Sequence, residues 1–155
     1  RNPRYPANLK SVQAAAQQLV IKILPVDART PEEIERGFAA MKRERTDAVI
    51  ILADAFFIGQ RRQIVELVAR NRLPSMFYWR EDVEAGGLIS YGQNLAYYYR
   101  RAATYVDKIL KGAKPGELPF EQPMKIHLAI SRKTAKALGI IISQEMLFRA
   151  DEVIE

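Results

Sequence analysis

The chain has 155 residues, of which 48% are hydrophobic and 27% charged, and it contains no cysteine. This composition fits one folded domain with its own core and excludes disordered, collagen-like and disulfide-stapled classes. The lack of cysteine also excludes thiolate nucleophiles and zinc sites with cysteine ligands. No apolar run approaches the roughly 18 to 20 residues that a membrane-spanning helix needs.

The formal net charge of +6 would suit an acidic partner. The basic residues are nevertheless spread along the chain with acidic residues between them, as in the stretch 42–45. On helices this spacing is typical of solvated faces. We therefore expect no nucleic-acid partner, and a nucleic-acid or membrane-surface patch is the alternative interpretation.

The first elements combine a helix pattern with a β-branched run. Residues 9–19 carry apolar side chains at helical spacing and predict a helix, and residues 20–26 predict a short strand. Thr30 then stands at an N-cap position, with Glu33 three residues later. This spacing is that of a capping box and predicts a helix over about 30–45.

The middle of the chain alternates strand and helix signals. Residues 47–53 form a continuous apolar run that is typical of a strand covered on both faces. An amphipathic helix is predicted over 58–71, and further strands over 74–79 and 88–91. This alternation with short links favours a parallel sheet that has helices on both faces and right-handed crossovers.

The last third of the chain contains a long helix, a connector and a return to the alternating pattern. The helix is predicted over about 94–111, and three prolines between residues 115 and 123 predict an extended connector. A strand over 125–131 and a short helix over 132–138 follow. Gly139 stands at the position that commonly ends a helix.

Catalytic chemistry finds little support in the sequence. The only histidine, His127, lies in a predicted strand, so a histidine-rich metal site is excluded. Neither a phosphate-binding loop nor a Gly-x-Gly-x-x-Gly motif follows a strand. Asp47, Asp54, Glu81 and Asp82 are candidates for paired carboxylates, but the sequence gives no distance between them. We expect a protein that is not an enzyme and that uses no cofactor and no metal.

Binding of a small molecule is better supported, because ligands of open parallel sheets lie at the carboxyl ends of the strands. The candidate ligand-binding residues at these ends are Asp54, Phe56, Trp79, Arg80 and Tyr91. Trp79 is suited to stack on a planar ligand, and Arg80 to hold a carboxylate with its planar fork. The structural alternatives are that Asp54 caps the helix near Ile58 and that Trp79 fills the core.

One stretch of the sequence suggests a family. The segment Gly86-Gly87-Leu88-Ile89-Ser90-Tyr91-Gly92, the aromatic-rich helix and the prolines after it follow each other in an order that resembles the substrate-binding proteins of a bacterial ABC-transporter family. This family includes aromatic amino-acid uptake lipoproteins. The resemblance covers nearly the whole chain, because it continues through residues 122–125, 133–140 and 149–154.

The resemblance implies a domain organisation. Members of the family resemble type I periplasmic binding proteins, in which two Rossmann-like lobes clasp a ligand. Residues 1–92 are then the second lobe without its first strand, 93–114 a helix of the first lobe, 115–124 a crossing connector, and 125–155 the return to the second lobe and a C-terminal tail. The fold class is α/β, with a Rossmann-like parallel sheet flanked by helices. The first lobe is expected to be missing, so that the chain is a fragment.

The resemblance also implies a function. The chain is expected to bind a small amino-acid-like or aromatic carboxylate ligand by hinge closure of two lobes, with Asp54 paired to a ligand ammonium group. The expected partner is an ABC permease in the membrane, and the expected location is the periplasm or a lipid anchor outside the cytoplasmic membrane. The apolar stripe of helix 94–111 is a candidate for self-association. The alternatives are a ligand-sensing regulatory domain of similar fold and, less readily, an α/β enzyme.

Overall fold

In the computed structural model, which describes residues 5–121 and 126–155, the strands form one five-stranded mixed sheet. They lie in the sheet in chain order and are β1 (Val49–Ile50), β2 (Ser75–Phe77), β3 (Ile89–Gln93), β4 (Ile126–Ser131) and β5 (Glu152–Ile154). The pairs β1–β2, β2–β3 and β4–β5 are parallel, and β3–β4 is antiparallel. The predicted α/β class with a mainly parallel sheet is confirmed, and the antiparallel pair is a feature that the sequence did not predict.

Eight α-helices connect and flank these strands in the described part of the chain. They are α1 (Tyr5–Gln18), α2 (Pro31–Arg43), α3 (Ala55–Gly59), α4 (Arg61–Arg70), α5 (Arg80–Glu84), α6 (Leu95–Leu110), α7 (Arg132–Leu138) and α8 (Gln144–Arg149), with a short 3-10 helix at Pro115–Glu117. None of these helices is both long enough and apolar enough to cross a membrane.

Helix boundaries follow the local signals closely. The Thr30 side chain accepts a hydrogen bond from the backbone N–H of Glu33 at 3.3 Å, and the Glu33 carboxylate accepts one from the Arg29 N–H at 2.7 Å. The first bond satisfies an N–H group that the first turn of α2 leaves free, and the second ties the Glu33 side chain to the residue before the N-cap. Gly139 ends α7 with a φ of 74°, as predicted, because glycine adopts this left-handed conformation without a steric penalty.

Some predicted elements differ in the structure. Residues 21–28 form no regular element, so the predicted strand over 20–26 is wrong. A β-branched run becomes a strand only beside a partner, and β1 pairs with β2 alone among the described residues. The helix predicted over 58–71 is two helices, α3 and α4, joined at Gln60. The end of the connector and the start of the strand predicted from residue 125 lie outside the described residues.

The hydrophobic core lies between the sheet and helices α2 and α4. Its buried members are Ile34, Phe38, Val49, Ile64, Val65, Leu67, Val68, Leu73 and Phe77. The strand register places Val49, Ser75, Phe77 and Ser90 on the sheet face that carries this core. Because successive strand residues point to opposite faces, Tyr91 lies on the other face, where it is 49% exposed.

Helix α6 contributes no buried residue to this core. Two side chains of α6 instead contact the segment that follows the helix. The Tyr105 hydroxyl donates to the Pro119 carbonyl at 2.7 Å, and Arg101 forms a forked ion pair with Glu121. The Arg101 guanidinium lowers the pKa of Glu121 to about 2. Apolar side chains of α6 remain open to solvent, and Leu110 is 82% exposed.

Gly92 of β3 lies very close to the backbone of Tyr78, which follows β2, and this close approach can be tested. A Cβ at Gly92 would overlap the carbonyl oxygen of Tyr78, which is backbone and cannot move aside cheaply. We expect Gly92→Ala to lower the free energy of unfolding by about 1 to 3 kcal/mol, the range for overpacking a well-filled site. Gly116→Ala is the matched control, because a Cβ at Gly116 would meet no atom within 4 Å. Urea unfolding followed by circular dichroism measures both, and equal stability of the two variants would contradict the close approach.

Candidate ligand-binding site

A small pocket lies where the chain leaves the carboxyl ends of β1 and β2. Its apolar wall is formed by Ile51, Leu52, Phe57, Ile58, Ile64 and Phe77. The remaining lining residues are polar or aromatic: Asp54, Arg61, Tyr78, Trp79 and Asp82. This is the sheet edge at which the sequence predicted ligand binding, and apolar walls with a few polar groups are the mixture that small-molecule sites use.

The pocket is too small to enclose a solute on its own. The free volume within it is about 10 Å³, which is close to the space that one water molecule needs. Ligand pockets that bury most of a small molecule have volumes of roughly 300 to 1,000 Å³. A ligand at this edge would therefore require a second wall.

Asp54 both caps a helix and lines the pocket. It stands at the N-cap of α3, where one carboxylate oxygen accepts a hydrogen bond from the backbone N–H of Phe56 at 2.8 Å. The capping role that the sequence allowed is thus present. A single backbone bond occupies only part of the hydrogen-bonding capacity of a carboxylate.

Trp79 lies directly before α5 and is one of the residues that line the pocket. The Tyr78 ring meets it edge-on, with ring centroids 4.6 Å apart and an interplanar angle of 82°. The indole Nε1 is buried and has no hydrogen-bond partner in the described part of the chain. Since an unpaired buried donor is costly, this N–H is a group that an acceptor would stabilise.

Arg61 and Asp82 also line the pocket, and of the two the sequence had singled out only Asp82, as a candidate for a paired carboxylate. The Arg61 Nε lies 2.6 Å from the Asp82 Oδ1, and the Asp82 side chain is 9% exposed. Burial raises the pKa of Asp82, and the hydrogen bond and charge of Arg61 oppose that increase. In a continuous helix over 58–71, Arg61 belongs to the solvent face. The break at Gln60 instead makes Arg61 the first residue of α4 and brings it to the pocket.

The other candidate residues lie away from this pocket. Phe56 packs against the core, with its ring centroid 5.6 Å from that of Phe57. Tyr91 lies on the opposite sheet face. Arg80 is held by two carboxylates: its Nε and Nη2 donate to Glu152 at 2.5 and 2.6 Å, and its Nη1 lies 2.8 Å from Glu84. The structure therefore brings Asp54 and Trp79 together and gives Arg80 a structural contact.

The Arg80 contact links α5 to the last strand of the sheet. Glu152 belongs to β5, whereas Arg80 begins α5 next to Trp79. The Arg80 guanidinium lowers the pKa of Glu152 below its ordinary value of 4.5. The His127 Nε2 lies 3.9 Å from the same carboxylate. The ion pair therefore helps to hold the backbone that positions Trp79.

The pH dependence of stability tests this ion pair. Because the pKa of Glu152 is lower in the folded state, the pair stabilises the fold above the unfolded pKa, and this contribution is lost as the pH falls through the folded pKa. We expect Glu152→Gln to cost about 1 kcal/mol at about pH 7 and to cost much less at about pH 3. Thermal unfolding at both pH values measures this difference.

Glu145→Gln is the matched control for this experiment, since Glu145 is 80% exposed and its pair with Arg149 spans 3.5 Å. It should change stability little at either pH. A Glu152→Gln defect of the same size at both pH values would show that the charge of Glu152 is not its source.

Comparison with known proteins identifies the family of the chain. The family described as ABC transporter substrate binding protein matches residues 5–154. No functionally curated protein matches the chain.

In the described residues, no cluster of three or more histidine, aspartate or glutamate side chains is arranged to hold a metal ion.

Solved structures share the fold. A conserved domain protein from Vibrio cholerae has a TM-score of 0.81 at 23% identity over 96% of this chain and 50% of its own. An ABC domain in complex with L-Trp from Streptococcus pneumoniae has a TM-score of 0.83 at 23% identity, over 97% of this chain and 52% of its own. A ligand-free, open substrate-binding protein with adhesive properties from Clostridium difficile has a TM-score of 0.67 at 16% identity, over 99% and 51%.

At these identities the three structures show a common fold, and the chain spans about half the length of each. The family match is the stronger finding, because it extends over nearly all of the sequence and agrees with the resemblance seen in its motifs. The chain belongs to the family of ABC transporter substrate-binding proteins.

Proposed function

We propose that the chain forms one half of a two-lobe solute-binding protein of an ABC importer and binds an amino-acid-like or aromatic carboxylate ligand without chemistry. The observation that carries this proposal is the pocket at the ends of β1 and β2, which both Asp54 and Trp79 line. The family match supports a solute-binding role. The L-Trp complex of the Streptococcus pneumoniae neighbour supports an amino-acid-like ligand.

The mechanism we propose is hinge closure over the pocket. One wall offers space for about one water, so a second lobe supplies the opposite wall when the two lobes close. Ligand contacts on both sides favour the closed state, since a ligand shifts a conformational equilibrium only by its differential affinity for the two states. An ABC permease recognises this closed state at the outer face of the cytoplasmic membrane, in the periplasm or near a lipid anchor.

We propose a domain organisation that fits this mechanism. We assign residues 1–92 and 125–155 to one lobe, residues 93–114 to a helix of the other lobe, and residues 115–124 to a connector between them. The lack of buried residues in α6 supports the assignment of that helix to the other lobe. In the chain alone, the exposed apolar residues of α6 favour pairing with a second copy, because buried apolar area contributes about 25 cal/mol per Å² before the costs of association.

Ligand titration tests the need for a second wall. We expect calorimetry with aromatic amino acids and aromatic carboxylates to detect binding to the two-lobe protein and weak or no binding to the 155-residue chain alone. The physical reason is that half of the contacts, and the closure itself, are missing from the chain. Equal affinity of the two proteins for the same ligand would contradict the proposed mechanism.

Aromatic truncations test the location of the site. Trp79→Ala should remove about 1 to 3 kcal/mol of binding from the two-lobe protein, the range for losing an aromatic contact and part of its burial. Tyr91→Ala is the matched control, because Tyr91 lies on the other sheet face and does not line the pocket. Calorimetry gives both affinities, and melting temperatures show whether each variant is folded. A loss with Tyr91→Ala and none with Trp79→Ala would place the site on the other face.

A further inference from the structure

Helix α6 carries an apolar face that is open to solvent. We call it the α6 stripe, and its members are exposed apolar residues at helical spacing: Tyr99, Ala102, Ala103, Val106, Ile109 and Leu110. Residues at this spacing share one face of a helix. Tyr99 is 74% exposed and Val106 is 54% exposed. The stripe is therefore a contiguous apolar surface of the kind that marks an interaction site.

The connector that follows α6 covers a different face of the helix. The Tyr105 hydroxyl donates to the Pro119 carbonyl, and the Arg101 guanidinium holds the Glu121 carboxylate. Tyr105 and Arg101 are only partly exposed, whereas every member of the stripe is exposed. These contacts fasten the helix to the segment after it and leave the stripe uncovered among the described residues.

The spacing of the stripe suits a second helix. Intervals of three, four and three residues separate four of its members: Tyr99, Ala102, Val106 and Ile109. This is the a and d pattern of a helix that packs lengthwise against another helix. In such a pair each apolar side chain fits between side chains of the facing helix, so the facing helix needs a matching spacing. The α6 helix of a second copy has this spacing, and a two-fold axis brings the two copies together.

The charges beside the stripe favour an antiparallel orientation of the two helices. Arg100 and Asp107 are exposed and seven residues apart, so they lie on the same side of the stripe. An antiparallel pair sets Arg100 of each copy level with Asp107 of the other copy, so that opposite charges attract. A parallel pair instead sets each of these residues level with its own counterpart. The dipoles of the two helices also attract each other only in the antiparallel arrangement.

We propose that two copies of the 155-residue chain pair through their α6 stripes in an antiparallel orientation, with Ala103 next to the two-fold axis. In this register Tyr99 packs beside Ile109 of the second copy, and Ala102 packs beside Val106 of the second copy. The inference rests on the domain organisation under the proposed function, which leaves α6 uncovered in the chain alone. It gives the pairing of the chain a surface, an orientation and a register.

Cysteine crosslinking tests the orientation, because the chain contains no cysteine and each introduced thiol therefore reports one position. We expect neither the Tyr99→Cys variant nor the Ile109→Cys variant to form a disulfide dimer when it is oxidised alone. An equal mixture of the two variants should form one, since a disulfide requires Cβ atoms about 3.5 to 4.5 Å apart. Gel electrophoresis without reductant measures the dimer. A disulfide dimer of Tyr99→Cys alone, with none in the mixture, would overturn the antiparallel orientation.

Sedimentation equilibrium tests the surface. We expect the mass of the parent chain to rise from monomer towards dimer over about 10 to 1,000 µM, because a single helix pair is a small interface. Val106→Glu should weaken the pairing at least about 10-fold, since it places a charge of each copy between the helices. Thr104→Glu is the matched control, because it adds the same charge to an exposed position on the opposite side of α6. It should pair as the parent does.

The fold of these variants and the outcomes can be separated. Because α6 contributes no buried residue, the substitutions should leave the circular dichroism spectrum unchanged. A parent chain that stays monomeric over the whole concentration range would overturn the inference, as would equal pairing of Val106→Glu and Thr104→Glu.

The two-lobe protein distinguishes the inference from the proposed function. We expect it to stay monomeric at the same concentrations, because its other lobe covers the stripe. Pairing of the two-lobe protein that Val106→Glu removes would support the stripe as a pairing surface and overturn the assignment of α6 to the other lobe. Failure of the two-lobe protein to bind any solute would overturn the solute-binding role and leave the pairing of the chain intact.

Discussion

The packing of α4 against the sheet is the interaction on which the candidate site depends. Ile64 and Val68 are each 2% exposed and belong to the same buried cluster as Phe77 of β2. Burial of such side chains contributes about 1.5 to 3 kcal/mol each. Arg61 begins the helix that carries Ile64 and Val68, and Trp79 follows Phe77 by two residues. The hydrophobic contact that stabilises the layers therefore also brings the polar residues of the pocket to one edge.

Elements that depend on local signals could be predicted from the sequence. The hydroxyl at Thr30, the glycine at Gly139 and the helical spacing of apolar residues in α4 act within one or two turns, so the sequence alone is sufficient to find them. The strand predicted over 20–26 was wrong because a strand depends on a neighbour that is distant in sequence. Its apolar residues, including Val20 at 95% exposed, have no adjacent strand among the described residues.

The contrast between local signals and contacts that are distant in sequence also explains what could be predicted of the candidate site. The sheet edge was predictable because strand ends of an α/β fold converge there, and Asp54 and Trp79, which follow two of these strands, both line the pocket. The ion pair of Arg80 was not predictable from the sequence, since its partner Glu152 is 72 residues away in sequence. Arg61 was missed because one residue, Gln60, breaks the helix and changes the direction in which the next side chain points. Sequence patterns indicated the sheet edge that carries the pocket, and only the tertiary structure shows that Arg61 lines this pocket whereas two carboxylates hold Arg80.

The two outer strands of the sheet have a consequence for solubility. β1 is two residues long and β5 is three, and both lie at the margins of the sheet in the described structure. An outer strand exposes unpaired N–H and C=O groups that can template aggregation with another sheet, and short outer strands are one way in which proteins limit this hazard. Here each edge strand exposes only a few unpaired backbone N–H and C=O groups. The sheet is thus protected against edge-to-edge aggregation by the shortness of its margins.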